Sequence, residues 1–114
     1  MRIEIHVRGL KVDDSARMLF ERRFKFSLTR LNNRVGRVDV YLSDMNGPRG
    51  GVDKRCQIVA EVLGLGQIVV EDKDSDLTNL IDRAAGRLGQ TVRRRIARDR
   101  LRQRQRTHGI AVVN

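Results

Sequence analysis

Residues 37–43 read Arg-Val-Asp-Val-Tyr-Leu-Ser, an alternation that sends Val38, Val40 and Leu42 to one side and Asp39 and Tyr41 to the other. A period of two sustained over seven residues marks a strand with one buried and one wet face. Residues 2–7, Arg-Ile-Glu-Ile-His-Val, repeat the pattern with Ile3, Ile5 and Val7 on one face. Between the two stretches the period becomes helical. Asp13-Asp14-Ser15 offers side-chain oxygens to a helix N-terminus and anions to its dipole. Leu19, Phe20, Phe24, Leu28 and Leu31 then recur at helical spacing, which predicts a helix over 14–31. Asn32-Asn33 and Gly36 break it.

Downstream, residues 44–53 carry three glycines and the only proline, a loop too long for a tight hairpin and expected to be mobile. A third strand is predicted over 54–62, with Cys56, Ile58, Ala60 and Val62 on one side. Gly64-Leu65-Gly66 turns into a fourth strand at 67–72. Asp74-Ser75-Asp76 then repeats the capping chemistry. Leu77, Leu80, Ile81, Ala84, Ala85, Leu88, Val92 and Ile96 form the stripe of a second helix, which reaches Asp99 or beyond. Residues 100–106 hold one apolar residue in seven and read either as a solvated helical extension or as disordered chain. Residues 109–113 are β-prone and have no place in the scheme. The order β-α-β-β-β-α predicts a two-layer α+β domain, a four-stranded sheet with two helices packed on one face. Its first crossover makes the first two strands parallel. The domain is assigned to residues 1–99, and 100–114 to a flexible basic C-terminal extension.

The chain has 114 residues, enough for one domain, and 39% hydrophobic residues, enough for a small core. One cysteine, Cys56, excludes an internal disulfide framework and a cysteine-based zinc site. No apolar run approaches the ~20 residues of a membrane helix, and the N-terminus lacks a signal-peptide core. A cytoplasmic protein that does not engage membranes is expected.

The formal charge of +10 is unevenly placed. Residues 1–76 hold fourteen cations against twelve anions, whereas residues 77–114 hold ten arginines against Asp82 and Asp99 alone. Concentration on one element makes a field that attracts polyanions. Arg83, Arg87, Arg94 and Arg98 stand four, seven and four apart, so they share a helix face. Arg93 projects to the far side, and the stem of Arg95 falls near the buried edge. On the first helix Arg17, Arg22, Arg23, Lys25 and Arg30 lie off the core stripe. With both helices on one sheet face, these basic edges are expected to converge. A solvated helix ordinarily interleaves Glu with Arg, but residues 83–106 contain a single acid, Asp99, and such a helix repels itself without a partner.

No catalytic constellation is visible. His6 and His108 have no partners at metal-ligand spacing and read as surface residues. Cys56 reads as core. Asp44 and Asp53 flank a Gly-rich loop that resembles neither a calcium loop nor a P-loop. No metal, cofactor or small-molecule substrate is expected. Phe20 and Phe24 belong to the core stripe, leaving Tyr41 and Phe26 as the only aromatics available to a base. Phosphate and shape contacts are therefore favoured over single-strand stacking.

The pattern over residues 2–98 resembles the ribosome hibernation-promoting factor and ribosome-associated inhibitor A family, also known as the sigma-54 modulation proteins. The resemblance rests on the opening strand, the capped Arg-rich first helix and residues 37–43. It rests equally on Val69-Val70-Glu71-Asp72 followed by Asp76-Leu77-Thr78-Asn79-Leu80-Ile81-Asp82-Arg83-Ala84. Thr78 and Leu80 stand where the family commonly has Tyr and Ala. The resemblance implies a domain similar to double-stranded-RNA-binding domains. It implies a non-enzymatic inhibitor of translation that binds the small ribosomal subunit and its ribosomal RNA and occludes the decoding region. By position it assigns RNA contacts to Arg17, Arg23, Arg83, Arg87 and Arg94, with Lys25 and Arg30 dependent on the alignment. Arg22 and Arg98 join them from the residue pattern. Longer members carry a second domain that pairs ribosomes; none is expected after Asn114, so self-driven pairing of ribosomes is not expected, and a monomer in solution is expected. The rival readings are a protein-binding modulator of transcription and a general binder of double-stranded RNA.

Overall fold

A computed structural model describes residues 1–31, 33–45 and 53–113, with side chains as far as residue 105. The elements are β1 (Arg2–Arg8), α1 (Asp14–Ser27), a single 3-10 turn (Thr29–Leu31), β2 (Val35–Asp44), β3 (Lys54–Val62), β4 (Gly66–Asp74) and α2 (Leu77–Val113). One sheet holds the strands in the order β1-β2-β3-β4. β1 runs parallel to β2, with Ile5 opposite Val40, and the other two pairings are antiparallel. This is the predicted α+β arrangement. The glycine-rich stretch 46–52 lies outside the described residues.

Alternation decides which face is buried. Val38, Val40 and Leu42 of β2, Cys56, Ile58, Ala60 and Val62 of β3, and Ile68 and Val70 of β4 point to one side and lose nearly all contact with water. Both helices cover that side. α1 contributes Phe20, Phe24 and, at its end, Leu28; α2 contributes Leu80, Ile81, Ala84, Ala85, Leu88, Val92 and Ile96. Complete burial of a side chain such as Phe24 stabilises the fold by about 2–3 kcal/mol.

α1 is shorter than its apolar spacing implies. Asp13 caps it, accepting from Ala16 N–H at 2.8 Å, but the helix stops at Ser27, and Leu28 closes it by bonding back to Lys25 and Phe26. Leu19, assigned to the core stripe, is 59% exposed. It sits about 100° round the helix from Phe20, and the i, i+4, i+8 line Phe20–Phe24–Leu28 is the one that meets the sheet.

α2 behaves in the opposite way. Asp76 caps it, accepting from Asn79 N–H at 3.0 Å. The helix then runs unbroken past Asp99 to Val113, so residues 100–106 are a helical extension and the β-prone 109–113 lie in the same helix. Ile96 is the last of its residues in the core. The molecule consequently measures 66 Å along its longest axis against 24 and 17 Å across.

Candidate nucleic-acid interface

The two faces of the sheet treat charge differently. On the open face Arg2, Arg37 and Arg55 each have an anion beside them. Arg2 lies 2.7 Å from Glu4, Arg37 donates to Asp39 at 2.9 Å, and Arg55 donates to Glu71 at 2.9 Å. The Arg37 guanidinium and His6 together hold Asp39 below the usual carboxylate range.

Four of the nine cations singled out on the helices are also engaged. Arg17 donates to the Ile5 carbonyl at 2.6 Å and ties α1 to β1. Arg23 donates to Asp82 at 3.0 Å, joining the helices, and lies 6.0 Å from the Phe26 ring centre. Arg83 grips β4 with three nitrogens: Nε to Asp72 at 2.7 Å, Nη1 to Asp74 at 3.0 Å and Nη2 to the Lys73 carbonyl at 2.8 Å. Arg87 reaches Asp72 and the Glu71 carbonyl, both at 3.3 Å. The Arg83 hydrogen bond above all holds the Asp72 carboxyl down to about 2. A bond from the Asp76 N–H and another from Arg83 hold Asp74 low as well.

Arg22, Lys25, Arg30, Arg94 and Arg98 are exposed and, among the described residues, have no ion pair. The same holds for Arg95, Arg100, Arg102 and Arg104. The only acids within α2, Asp82 and Asp99, are taken by Arg23 and Gln103. An uncompensated field therefore lies on the helix layer and strengthens along α2.

The expected single stripe from Arg83 to Arg98 is divided in function. Its first two arginines hold the sheet edge and its last two face solvent. The signal for this was present in β4, where Asp72 and Asp74 continue the inward parity of Ile68 and Val70 and so lie beneath α2. Convergence of the two basic edges is also narrower than expected. It occurs where Arg30 and Arg93 meet beside exposed Phe26, around a groove of about 390 Å³.

His6 is not a solitary surface residue. Asp39, one strand away, takes its Nε2 at 3.0 Å, Glu4 lies at 4.0 Å, and the ring stacks on Tyr41 at 4.7 Å. Spacing along one strand cannot reveal a partner supplied by the next. Ligand atoms of Glu4, His6 and Asp39 lie within 4.8 Å of one another, but Arg2 and Arg37 already supply the positive charge there, and a metal ion would have to displace them. Cys56 is core, and burial pushes its thiol up to about 12. The side chain of His108 lies outside those described. Among the described residues no helix is long and apolar enough to cross a membrane.

The comparisons with known proteins agree with this fold. The family model of the sigma 54 modulation protein / S30EA ribosomal protein matches residues 3–100. The chain belongs to that family. This places it among ribosome-associated hibernation proteins, a family that is in general non-enzymatic. The N-terminal domain of Protein Y from Thermus thermophilus is 28% identical, with a TM-score of 0.65, over 82% of this chain and 98% of that one. A ribosomal subunit interface protein from Coxiella burnetii shares the fold at 14% identity and a TM-score of 0.68, over 85% of this chain and 99% of its own. No curated protein matches the chain. The family match stops at residue 100, whereas α2 continues to Val113.

Proposed function

We propose that this protein inhibits translation by occupying the decoding region of the small ribosomal subunit, holding its ribosomal RNA through basic residues of α1 and α2. The observation that carries the reading is the asymmetry of charge. On the open sheet face Arg2, Arg37 and Arg55 are neutralised internally, while Arg22, Lys25, Arg30, Arg94 and Arg98 on the helix layer have no ion pair among the described residues. Cations without internal partners are the ones able to exchange counterions for phosphates. Arg17, Arg23, Arg83 and Arg87 belong to the same surface, with their guanidinium groups held in place by protein acceptors. The protein acts as a cytoplasmic monomer, without catalysis or a small-molecule substrate. Residues 1–99 form the ribosome-binding domain, and 100–114 a basic extension of it.

Sedimentation with purified ribosomes at low and moderate salt tests the reading. The protein is expected with the small subunit and the intact ribosome. With four to six phosphate contacts, the log–log salt slope should be about −3 to −5. Protein that stays at the top of the gradient at both salts overturns the proposal. Partners that survive ribonuclease treatment would favour a protein-binding modulator of transcription. Efficient competition by free RNA duplex would favour a general double-stranded RNA binder.

A further inference from the structure

The far half of α2 is organised as two rows of arginine with a neutral ridge between them. Arg94, Arg98 and Arg102 follow one another at four-residue steps and form the first row. Arg93, Arg100 and Arg104, at steps of seven and four, form the second. At 100° per residue the centres of the two rows lie about 140° apart round the helix, closer where Arg93 and Arg94 adjoin, and both rows are exposed. The solvent side between them carries Gln90, Ala97 and Leu101, spaced seven and four, all uncharged and exposed. Leu101 is 56% exposed and outside the core, so its apolar surface is left to a partner. Arg93 makes one long bond, 3.5 Å, to the Ser27 carbonyl; among the described residues the other five row members have no hydrogen bond or ion pair, and all six side chains are exposed.

A helix lying on a flat polyanion needs cations along one line. Two lines flanking a neutral ridge suit a groove with a phosphate wall on each side and base edges at its floor. We propose that residues 93–104 of α2 insert into the major groove of an RNA duplex opened by a bulge or internal loop. The two arginine rows then hold opposite backbones, and Ala97 and Leu101 face the floor. An unperturbed A-form major groove is too deep and narrow for a helix about 10–12 Å across, which is why the partner must be an irregular duplex. The choice of RNA rests on the ribosome reading above; the groove geometry rests on this helix alone.

The test uses the full-length protein and two RNA hairpins that differ only in a central bulge. Arg94→Gln/Arg98→Gln/Arg102→Gln removes the first row, Arg93→Gln/Arg100→Gln/Arg104→Gln the second, and Leu101→Glu blocks the ridge. The wild type should prefer the bulged hairpin by fivefold or more. Each row variant should weaken that binding at least tenfold and reduce the salt slope by about 2–3, as expected for three lost phosphate contacts. Leu101→Glu should abolish the preference between hairpins. Unchanged circular dichroism and melting temperature confirm that the variants fold.

Loss in one row variant only would mean the helix lies on a surface, and no loss in either that it is unused; both outcomes overturn the inference. Equal binding of both hairpins by the wild type also overturns it. Ribosome sedimentation run in parallel separates the two claims. A wild type that discriminates the hairpins but ignores ribosomes sinks the functional reading alone. Ribosome binding by the wild type, together with unaltered hairpin binding by both row variants, sinks the groove alone.

Discussion

Arg83 Nε meets Asp72 Oδ2 at 2.7 Å across the seam between α2 and the edge strand β4. The Asp74 carboxylate and the Lys73 carbonyl take its remaining nitrogens, so one arginine closes the edge of the sheet against the helix. A planar guanidinium is suited to such multiple acceptance, and Lys in its place would be a single point charge.

Stability and ribosome binding should therefore separate along α2. Arg83→Ala is expected to lower the melting temperature measurably, because it removes the main partner of Asp72 and one of the partners of Asp74. Arg94→Ala with Arg98→Ala, which breaks no hydrogen bond or ion pair among the described residues, should leave the stability within about 0.5 kcal/mol of wild type, as for ordinary surface substitutions. The double variant should nonetheless lose ribosome binding by tenfold or more. Thermal denaturation and sedimentation, run on both proteins, check the pair of claims. Equal destabilisation by the two would mean that the division of the stripe is wrong.

Acid should loosen the same seam. Asp72 titrates near 2 in the folded protein, against an ordinary value of 3.8, chiefly because Arg83 donates to its charged form. A depressed carboxylate stabilises the fold fully above its unfolded value, and that contribution fades as pH falls through the folded one. The window is thus pH 3.8 down to about 2. Asp39, Glu71 and Asp74 are shifted in the same direction and add to the effect. In urea titrations across this range the wild type should lose stability steeply and Asp72→Asn less steeply. Parallel curves for the two proteins would refute the assignment to Asp72.

Much of this architecture was legible in the residues. Period two in 37–43 and 54–62 and the stripe from Leu77 to Ile96 lead directly to the strands, the helix and their buried faces, because burial on one side leaves a periodic trace. Asp13 and Asp76 disclosed the helix starts through capping chemistry. The misreadings arose where a contact joins distant parts of the chain. Asp39 completes the surroundings of His6 from the neighbouring strand, and Asp72 pairs with Arg83 and Arg87, which stay exposed. A helical wheel drawn for α2 alone shows a cation and cannot show the acid beneath it. Leu19 failed for a simpler reason: two adjacent apolar residues, Leu19 and Phe20, cannot both lie on a narrow stripe.

Cys56 should be inert in the native protein. It is fully buried on β3, and burial holds its thiol near 12, so almost none is thiolate at neutral pH. Since the thiolate is the nucleophile, a chromogenic disulfide reagent should react slowly with the folded protein and fully after unfolding in guanidinium. Fast reaction without denaturant would mean that β3 opens readily. The rate with added denaturant then reports local opening of the sheet.

Two glycines three residues apart on α2 should respond oppositely to the same change. A Cβ on Gly89 would stand 2.6 Å from the Ser27 carbonyl oxygen and 3.1 Å from Arg93 Nη1, so the end of α1 packs directly on the backbone of α2 there. The carbonyl is fixed by the close of α1, where Leu28 bonds back to Lys25 and Phe26, and it cannot yield as a side chain does. Gly89→Ala should cost about 1–3 kcal/mol in overpacking, outweighing the roughly 1 kcal/mol that alanine gains in a helix interior. A Cβ on Gly86 meets nothing within 4 Å. Gly86→Ala should therefore keep the helical gain and raise stability by up to about 1 kcal/mol. Chemical denaturation of the two variants beside the wild type measures both signs. Stabilisation by Gly89→Ala would show that α1 and α2 lie farther apart than 2.6 Å implies.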